Sequence, residues 1–331
     1  MFVGHALAAF ALVAVVARRL GERPARALTF GVVAALFAAA PDVDIGYALV
    51  GVVSGLGAEA GALGLAESFW STGNLVHRSV THSLVVAPVV ALAAAAWVDG
   101  RASAKAVALA LVAGLVAVTA TVSGALGAVV TVAFVVTALA LAEAIRRRTD
   151  LTPRATFALA LAGLASHPFG DLFTGEPPAF LYPLSADVVT ARVSLSADPT
   201  LHLLGAFALE LATIWAAALV WSRLRAERDG RQTHMLDVPR RVDPLAVAGA
   251  GYAAGAFIIP APTLDLSYPF VFTVLAVGAV GIAPVRIRRR GRAALSPEFA
   301  RPGAERALFT GLTAVTFAWL GYLLAYLAGV A

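Results

Sequence analysis

Apolar stretches that approach the thickness of a lipid bilayer recur along the whole length of this chain, and they settle the solvent in which it folds. A membrane-spanning helix needs about 20 mostly apolar residues, with about 17 as a lower limit. Only 14% of the 331 residues are charged, against roughly a quarter in soluble domains, and the mean hydropathy is +0.84. The reading is an all-α, polytopic helical membrane protein with about ten transmembrane helices. They are expected near residues 2–17, 26–40, 80–98, 105–123, 127–145, 154–171, 201–222, 244–260, 267–285 and 307–330. Residues 46–66 are apolar but carry six glycines and Glu59, and read as an interfacial or re-entrant segment. The N-terminal run is expected to remain as the first helix, because its arginines follow the apolar stretch instead of preceding it as in a cleaved signal.

Charge sets the expected orientation. Arginines and the single lysine gather after the first, third and fifth helices, in 223–241 and in 286–306, and these five loops hold 23 of the 25 basic residues. With ten helices all five fall on one side, which the positive-inside rule makes cytoplasmic, so both termini are expected outside. An eleventh span at 46–66 would break this parity. The net charge of +5 is then a topology signal, and nucleic acid is not expected as a partner. The chain has no cysteine, which excludes disulfides, thiolate catalysis and Cys-ligated zinc.

Four polar clusters interrupt the apolar background: His5 in "VGHALAAF", Asp42 and Asp44 in "APDVDIG", His77 and His82 in "HRSVTHSL", and His167 and Asp171 in "SHPFGDLF". The arginine-derived topology places all four at outer helix ends. His167 and Asp171 are i, i+4 and can share a helix face, although Pro168 suggests a helix start or kink there. Asp42 and Asp44 point the same way if the stretch after Pro41 is extended. His77 and His82 would diverge by about 140° on a regular helix, so they converge only if the chain bends between them, with Ser79 or Thr81 as the cap at that bend. Imidazole and carboxylate are ligands for zinc, iron and manganese. Seven candidates exceed the three protein ligands of a catalytic zinc, so either two ions are held or some residues orient the ligands.

Taken singly, each cluster has a plainer account: an interfacial histidine, a polar turn, a helix cap. Arg78, beside the histidines and on the sparsely basic outer face, suits an anionic group such as phosphate, and Arg192 shares that reading. His202 lies at an outer helix end and is a further candidate for the site. Glu210 reads as an intramembrane acid or an interhelical hydrogen-bonding group. Glu59 and Glu67 read as solvated or interfacial, and His234 lies in an inner arginine-rich loop.

In the order "GH" at 4–5, "PDVD" at 41–44, "HRSVTHSL" at 77–84 and "SHPFGD" at 166–171, the chain resembles the YdjM-like family of membrane-bound, metal-dependent hydrolases over roughly residues 1–185. The resemblance implies metal or catalytic roles for His5, Asp42, Asp44, His77, His82, His167 and Asp171. Members usually have glycine after the arginine, where this chain has Ser79, and often histidine after the second aspartate, where it has Ile45. A fainter similarity to zinc-dependent phospholipases C and single-strand nucleases suggests phosphoester chemistry.

The expectation is therefore a multi-pass enzyme of the cell membrane, hydrolysing a phosphoester or lipid-linked substrate at the outer face. It would use one or two divalent ions, zinc first, with manganese or iron as alternatives. Asp44 would act as general base and Arg78 would hold the anion. The partners are the lipid bilayer and a small-molecule or lipid substrate. Residues 1–200 would form the metal-site core and 201–331 a four-helix membrane extension. The alternative is a transporter or ion-binding membrane protein using the same His/Asp cluster.

Overall fold

The computed structural model describes residues 2–56, 61–73, 78–174, 177–184, 188–231, 237–283, 285–290, 294–299 and 302–330. His77, Glu59 and His234 lie outside the described residues. The chain divides into two compact units, Met1–Val193 and Ser194–Ala331.

The first unit begins with α1 (Phe2–Arg19) and α2 (Pro24–Ala39), packed as a hairpin. At Ala40 the helix tightens into a 3-10 segment, Ala40–Tyr47, and relaxes again into α3 (Ala48–Leu56). A short α4 (Ala62–Gly73) packs back on α3. At about 1.5 Å per residue, neither α3 nor α4 reaches the roughly 30 Å of a hydrocarbon core. A 3-10 turn (Val80–His82) leads into α5 (Val86–Asp99), which Gly100 ends in the left-handed conformation. The third helix thus starts six residues later than the sequence suggests.

Next comes α6 (Ala102–Arg148), 47 residues long, with one non-helical position, Gly124, at φ 66° and ψ −162°. That corner of the φ/ψ map belongs essentially to glycine. The two arms fold back on each other there. The Trp97 indole donates to Glu143 Oε2 at 3.0 Å, while the Lys105 ammonium lies 5.1 Å from the Trp97 ring centre. One indole cannot reach both ends of a straight helix about 70 Å long. The two helices expected at 105–123 and 127–145 are therefore both present, joined by a single residue.

The unit closes with α7 (Pro153–Gly170) and a 3-10 turn (Asp171–Phe173). Thr152 Oγ1 accepts from Ala155 N–H and Pro153 takes the first helical position, the preferred chemistry of a helix start. A Cβ added to Gly163 would stand 2.3 Å from the Ala34 carbonyl oxygen and 2.8 Å from the Ala38 nitrogen, so glycine sets how closely α7 lies on α2. Phe37, Val86, Val90, Phe134, Val135 and Leu164 fill the core between α2, α5, α6 and α7.

The second unit holds α8 (Pro199–Arg228), α9 (Val238–Arg241), a 3-10 segment (Pro244–Phe257), α10 (Tyr268–Ala276), a 3-10 turn (Val277–Ile282) and α11 (Ala304–Leu327). Asp198–Pro199 and Asp243–Pro244 repeat the cap-then-proline start, each aspartate accepting a backbone N–H of the first turn. Phe270 and Tyr322, 4.9 Å apart ring to ring, anchor a core with Leu204, Phe207, Val274 and Val315. Between the last two helical stretches, β1 (Val285–Arg290) and β2 (Ala294–Phe299) pair antiparallel. This two-stranded ribbon lies in a segment the sequence marks as a basic loop; the architecture is otherwise helical.

Outward faces of both units stay apolar: Leu12, Val53, Val129, Val136, Phe272 and Leu324 are all largely exposed. In water this would be a liability; in lipid tails it is the ordinary condition of a helix surface. Four helical stretches, Pro24–Val53, Ala102–Arg148, Pro199–Arg228 and Ala304–Leu327, are long and apolar enough to cross a membrane by length and composition. Shorter apolar helices accompany them at Val86–Asp99, Pro244–Phe257 and Tyr268–Ile282.

Candidate metal centre

Six of the seven candidate ligands meet in the first unit. His5 comes from the first turns of α1, Asp42 and Asp44 from the 3-10 break after α2, His82 from the turn before α5, and His167 and Asp171 from the end of α7. His77 lies outside the described residues.

The convergence has local causes. Arg78 adopts φ 70°, a left-handed conformation costly for a residue with a side chain, and Val80–His82 then coil tightly. This is the bend that the spacing of His77 and His82 requires. Its cap is neither Ser79 nor Thr81. Because the helix starts later, Ser83 Oγ accepts from Val85 N–H at 3.0 Å and from Val86 N–H at 3.2 Å. Thr81 is left to face inward. Pro168 marks neither a helix start nor a kink that ends α7: it lies inside the last turn, and the helix continues to Gly170 with Asp171 as its C-cap. The Asp42–Asp44 stretch is coiled, not extended, so the two carboxylates take different positions.

His167 Nδ1 lies 2.6 Å from the Ala38 carbonyl oxygen. A carbonyl only accepts, so Nδ1 carries the proton and Nε2 presents a lone pair. Pro41, three residues after Ala38, has no N–H to offer that carbonyl in the 3-10 repeat. His82 Nδ1 lies 2.8 Å from Thr81 Oγ1, and Thr81 donates its single proton to Asp44 Oδ2 at 2.6 Å. Thr81 must then accept from His82 Nδ1–H, so His82 Nε2 is also a lone pair. Yet the two Nε2 atoms are 2.9 Å apart. Asp171 Oδ2, 3.0 Å from His82 Nε2 and 3.9 Å from His167 Nε2, is buried without a hydrogen-bond partner among the described residues. Asp42 Oδ1 lies 3.5 Å from His167 Nε2.

Electron pairs so arranged repel unless a cation lies among them. A proton would join one pair only; a divalent ion can be shared by three of the atoms, His82 Nε2, His167 Nε2 and Asp171 Oδ2. With metal–ligand bonds of 2.0–2.2 Å, neighbouring ligand atoms around a tetrahedral ion lie about 3.4 Å apart, which the separations of 2.9–3.9 Å bracket. The Asp42, His82, His167 set lies within 4.8 Å, ligand atom to ligand atom, as does the set His5, His167, Asp171. Charge fits one ion. With neutral imidazoles, three carboxylates and one guanidinium leave two negative charges, the complement of one divalent cation.

The remaining residues brace this group. His5 Nε2 is 3.1 Å from Asp171 Oδ1, and its ring lies 4.3 Å from that of His167. A Cβ on Gly170 would fall 2.2 Å from His5 Nδ1, so only glycine leaves room for the ring. Arg78 Nη2 lies 3.4 Å from Asp171 Oδ1 and 3.2 Å from Thr174 Oγ1, and Nη1 donates to the Thr174 carbonyl. Asp44 is sequestered behind His82, whereas Asp42 keeps 15% of its side chain exposed. Thr81, Gly170 and the Ala38 carbonyl were not ligand candidates in the sequence; a threonine directly preceding a ligand histidine and a glycine directly preceding Asp171 were the signals available.

Elsewhere, Arg192 is exposed and Glu210 half-buried in α8. In the second unit the buried His202 accepts from Leu195 N–H through Nδ1 at 3.1 Å, holding the segment that precedes its own helix.

The comparison with curated proteins and the comparison with solved structures return no match. The family model described as YdjM inner membrane protein matches residues 1–228, beyond the 1–185 over which the motifs run, and its span takes in every member of the His/Asp cluster. The matched region holds apolar helices of membrane-spanning length together with the buried His/Asp cluster, and it covers more than half of the chain, so the chain belongs to that family: this is an inner-membrane protein of the YdjM family.

Proposed function

We propose that this protein is a membrane-embedded, metal-dependent hydrolase acting on a phosphoester or lipid-linked substrate at the outer membrane face. The reading rests on the 2.9 Å approach of two imidazole lone pairs, His82 Nε2 and His167 Nε2, beside the unpartnered Asp171 Oδ2. His82, His167 and Asp171 would hold the ion, zinc first by its preference for imidazole in small coordination shells, with Asp42 beside it. A divalent ion there would supply Lewis-acid chemistry.

The chain's own groups have separate tasks. Thr81 and Asp44 fix the tautomer and tilt of His82, and the Ala38 carbonyl does the same for His167. Asp44, first expected as general base, has its carboxylate engaged by Thr81 in a sealed position. Asp42 suits proton transfer better, because it alone among the three carboxylates keeps appreciable exposure. Arg78 steadies Asp171, and its partly exposed guanidinium faces the rim, where it would attract a phosphate. The basic loops support a ten-helix topology with both termini outside, on which this end of the unit would face the outer surface.

Elemental mass spectrometry of the detergent-purified protein tests the reading, together with hydrolysis of phospholipid vesicles and chromogenic phosphodiesters. About one equivalent of zinc, manganese or iron, lost in His82→Ala and His167→Ala along with turnover, is the expected result. A well-folded wild type that stays metal-free after supplementation would overturn it. A second reading, an ion-transit site, draws on the break of the Pro24–Val53 helix at the ligands, since transport sites favour interrupted helices. Metal flux into proteoliposomes without hydrolysis would select that reading.

A further inference from the structure

The second unit contains a cavity of about 340 Å³ that the His/Asp cluster does not explain. Arg225, Arg231, Arg241 and Arg306 line it, with Glu305 and the helix start at Gly303–Ala304. Four guanidiniums around one opening repel each other unless anions lie among them.

The chain supplies part of that countercharge and leaves part open. Arg241 Nη1 donates to Glu305 Oε1 at 2.9 Å and to Ser222 Oγ at 2.6 Å. Arg306 Nη2 donates to Asp243 Oδ2 at 2.7 Å, while its buried Nε has no hydrogen-bond partner among the described residues. Among the described residues Arg231 forms an ion pair with the exposed Asp229 alone, at 3.4 Å. Arg225 has no ion pair among the described residues; its guanidinium lies 5.2 Å from the Trp221 ring centre, on an aromatic face that orients it without neutralising it. Counting Glu305, Asp243 and Asp229 against the four arginines leaves one uncompensated positive charge.

The floor of the cavity adds to it. Helix α11 is 24 residues long and begins at Ala304 with no side-chain cap, Gly303 standing at the N-cap position. Its first-turn amides and the positive end of its dipole favour an anion. Three independent features therefore agree in sign: arginines from three segments, an orphaned guanidinium N–H, and an uncapped helix start.

We propose that this cavity binds a phosphate group, carried either by an anionic lipid headgroup or by a soluble phosphate compound. Arg225 and Arg231 would clamp its oxygens in the fork geometry that guanidinium offers to phosphate, and the α11 amides would bind from below. The Arg241–Glu305–Ser222 set keeps the wall in place.

The test uses the full-length protein in detergent. Isothermal titration with pyrophosphate probes a soluble ligand. Native mass spectrometry with phosphatidic acid, against phosphatidylcholine as the net-neutral control, probes a headgroup. Saturable binding of one equivalent of either anionic probe is expected, weakened at least tenfold by Arg225→Ala. Ala304→Glu supplies a second, fold-safe variant: a carboxylate in the first turn suits the helix dipole, yet it would occupy the cavity and expel the anion to a similar extent. Arg223→Ala, on the same helix but paired with Glu227 outside the cavity, should leave binding unchanged. Absence of saturable binding to both probes, or an equal loss in Arg223→Ala, would overturn the proposal.

Discussion

His82 and His167 face one another through Nε2 atoms 2.9 Å apart, and each ring's Nδ1 is already committed, one to Thr81 and one to the Ala38 carbonyl. A neutral protein should not hold two acceptors in this way. A divalent cation held there should therefore add stability: thermal unfolding should occur at higher temperature with zinc present than with chelator, since an ion that binds only the folded state stabilises it. His82→Ala and His167→Ala should abolish that difference. An unfolding temperature indifferent to chelator and metal in the wild type would contradict it.

Thr81 reads as a relay. Thr81→Val keeps the shape but removes the hydroxyl between His82 and Asp44. Loss of such an orienting partner typically weakens metal affinity by about 10- to 100-fold, and that is the expectation from competition with a fluorescent chelator. Ser79→Ala, on the neighbouring turn, should shift affinity less than about threefold, well below that range.

Gly170→Ala should evict His5. The new methyl would overlap the ring at Nδ1, so either the ring rotates off Asp171 or α7 moves, at about 1–3 kcal/mol for overpacking. Denaturant unfolding in a defined micelle would measure the cost, and metal content should fall with it. A double variant with His5→Ala should recover most of the lost stability, because the clash then has no second partner.

Pro41→Ala restores an N–H three residues after Ala38. It would compete with His167 for the Ala38 carbonyl, freeing the imidazole to turn. Weaker metal binding without global unfolding is expected, read by the same competition assay. Unchanged affinity would mean that the ring is oriented by packing alone.

Much of this site was legible because two unrelated patterns agree. Arginine placement set the helix parity, and that parity put His5, Asp42, His82, His167 and Asp171 at one end before any contact was known. The division of labour was not legible. Asp42 and Asp44 look equivalent in "PDVD", yet Pro41 and the 3-10 coil send one toward His167 and the other behind His82. Helix boundaries misled in the same way: with α5 starting at Val86, the capping hydroxyl is Ser83, and Thr81 acquires a different partner. Sequence periodicity also carries no sign of the β1–β2 ribbon, since "VRIRRR" matches a basic loop as well as a strand.

The reversal at Gly124 bears on how the protein is made. No charged residue lies between Lys105 and Glu143, so the insertion machinery meets two consecutive greasy arms with no charge to separate them. Basic residues flank both ends of the pair, at Arg101 and Lys105 before it and at Arg146, Arg147 and Arg148 after it. The arms can then enter lipid together as a folded loop, tip first, with both charged feet staying behind. Only an uncharged bend has to cross, and a charge introduced beside Gly124 would burden biogenesis before it ever touched the finished fold.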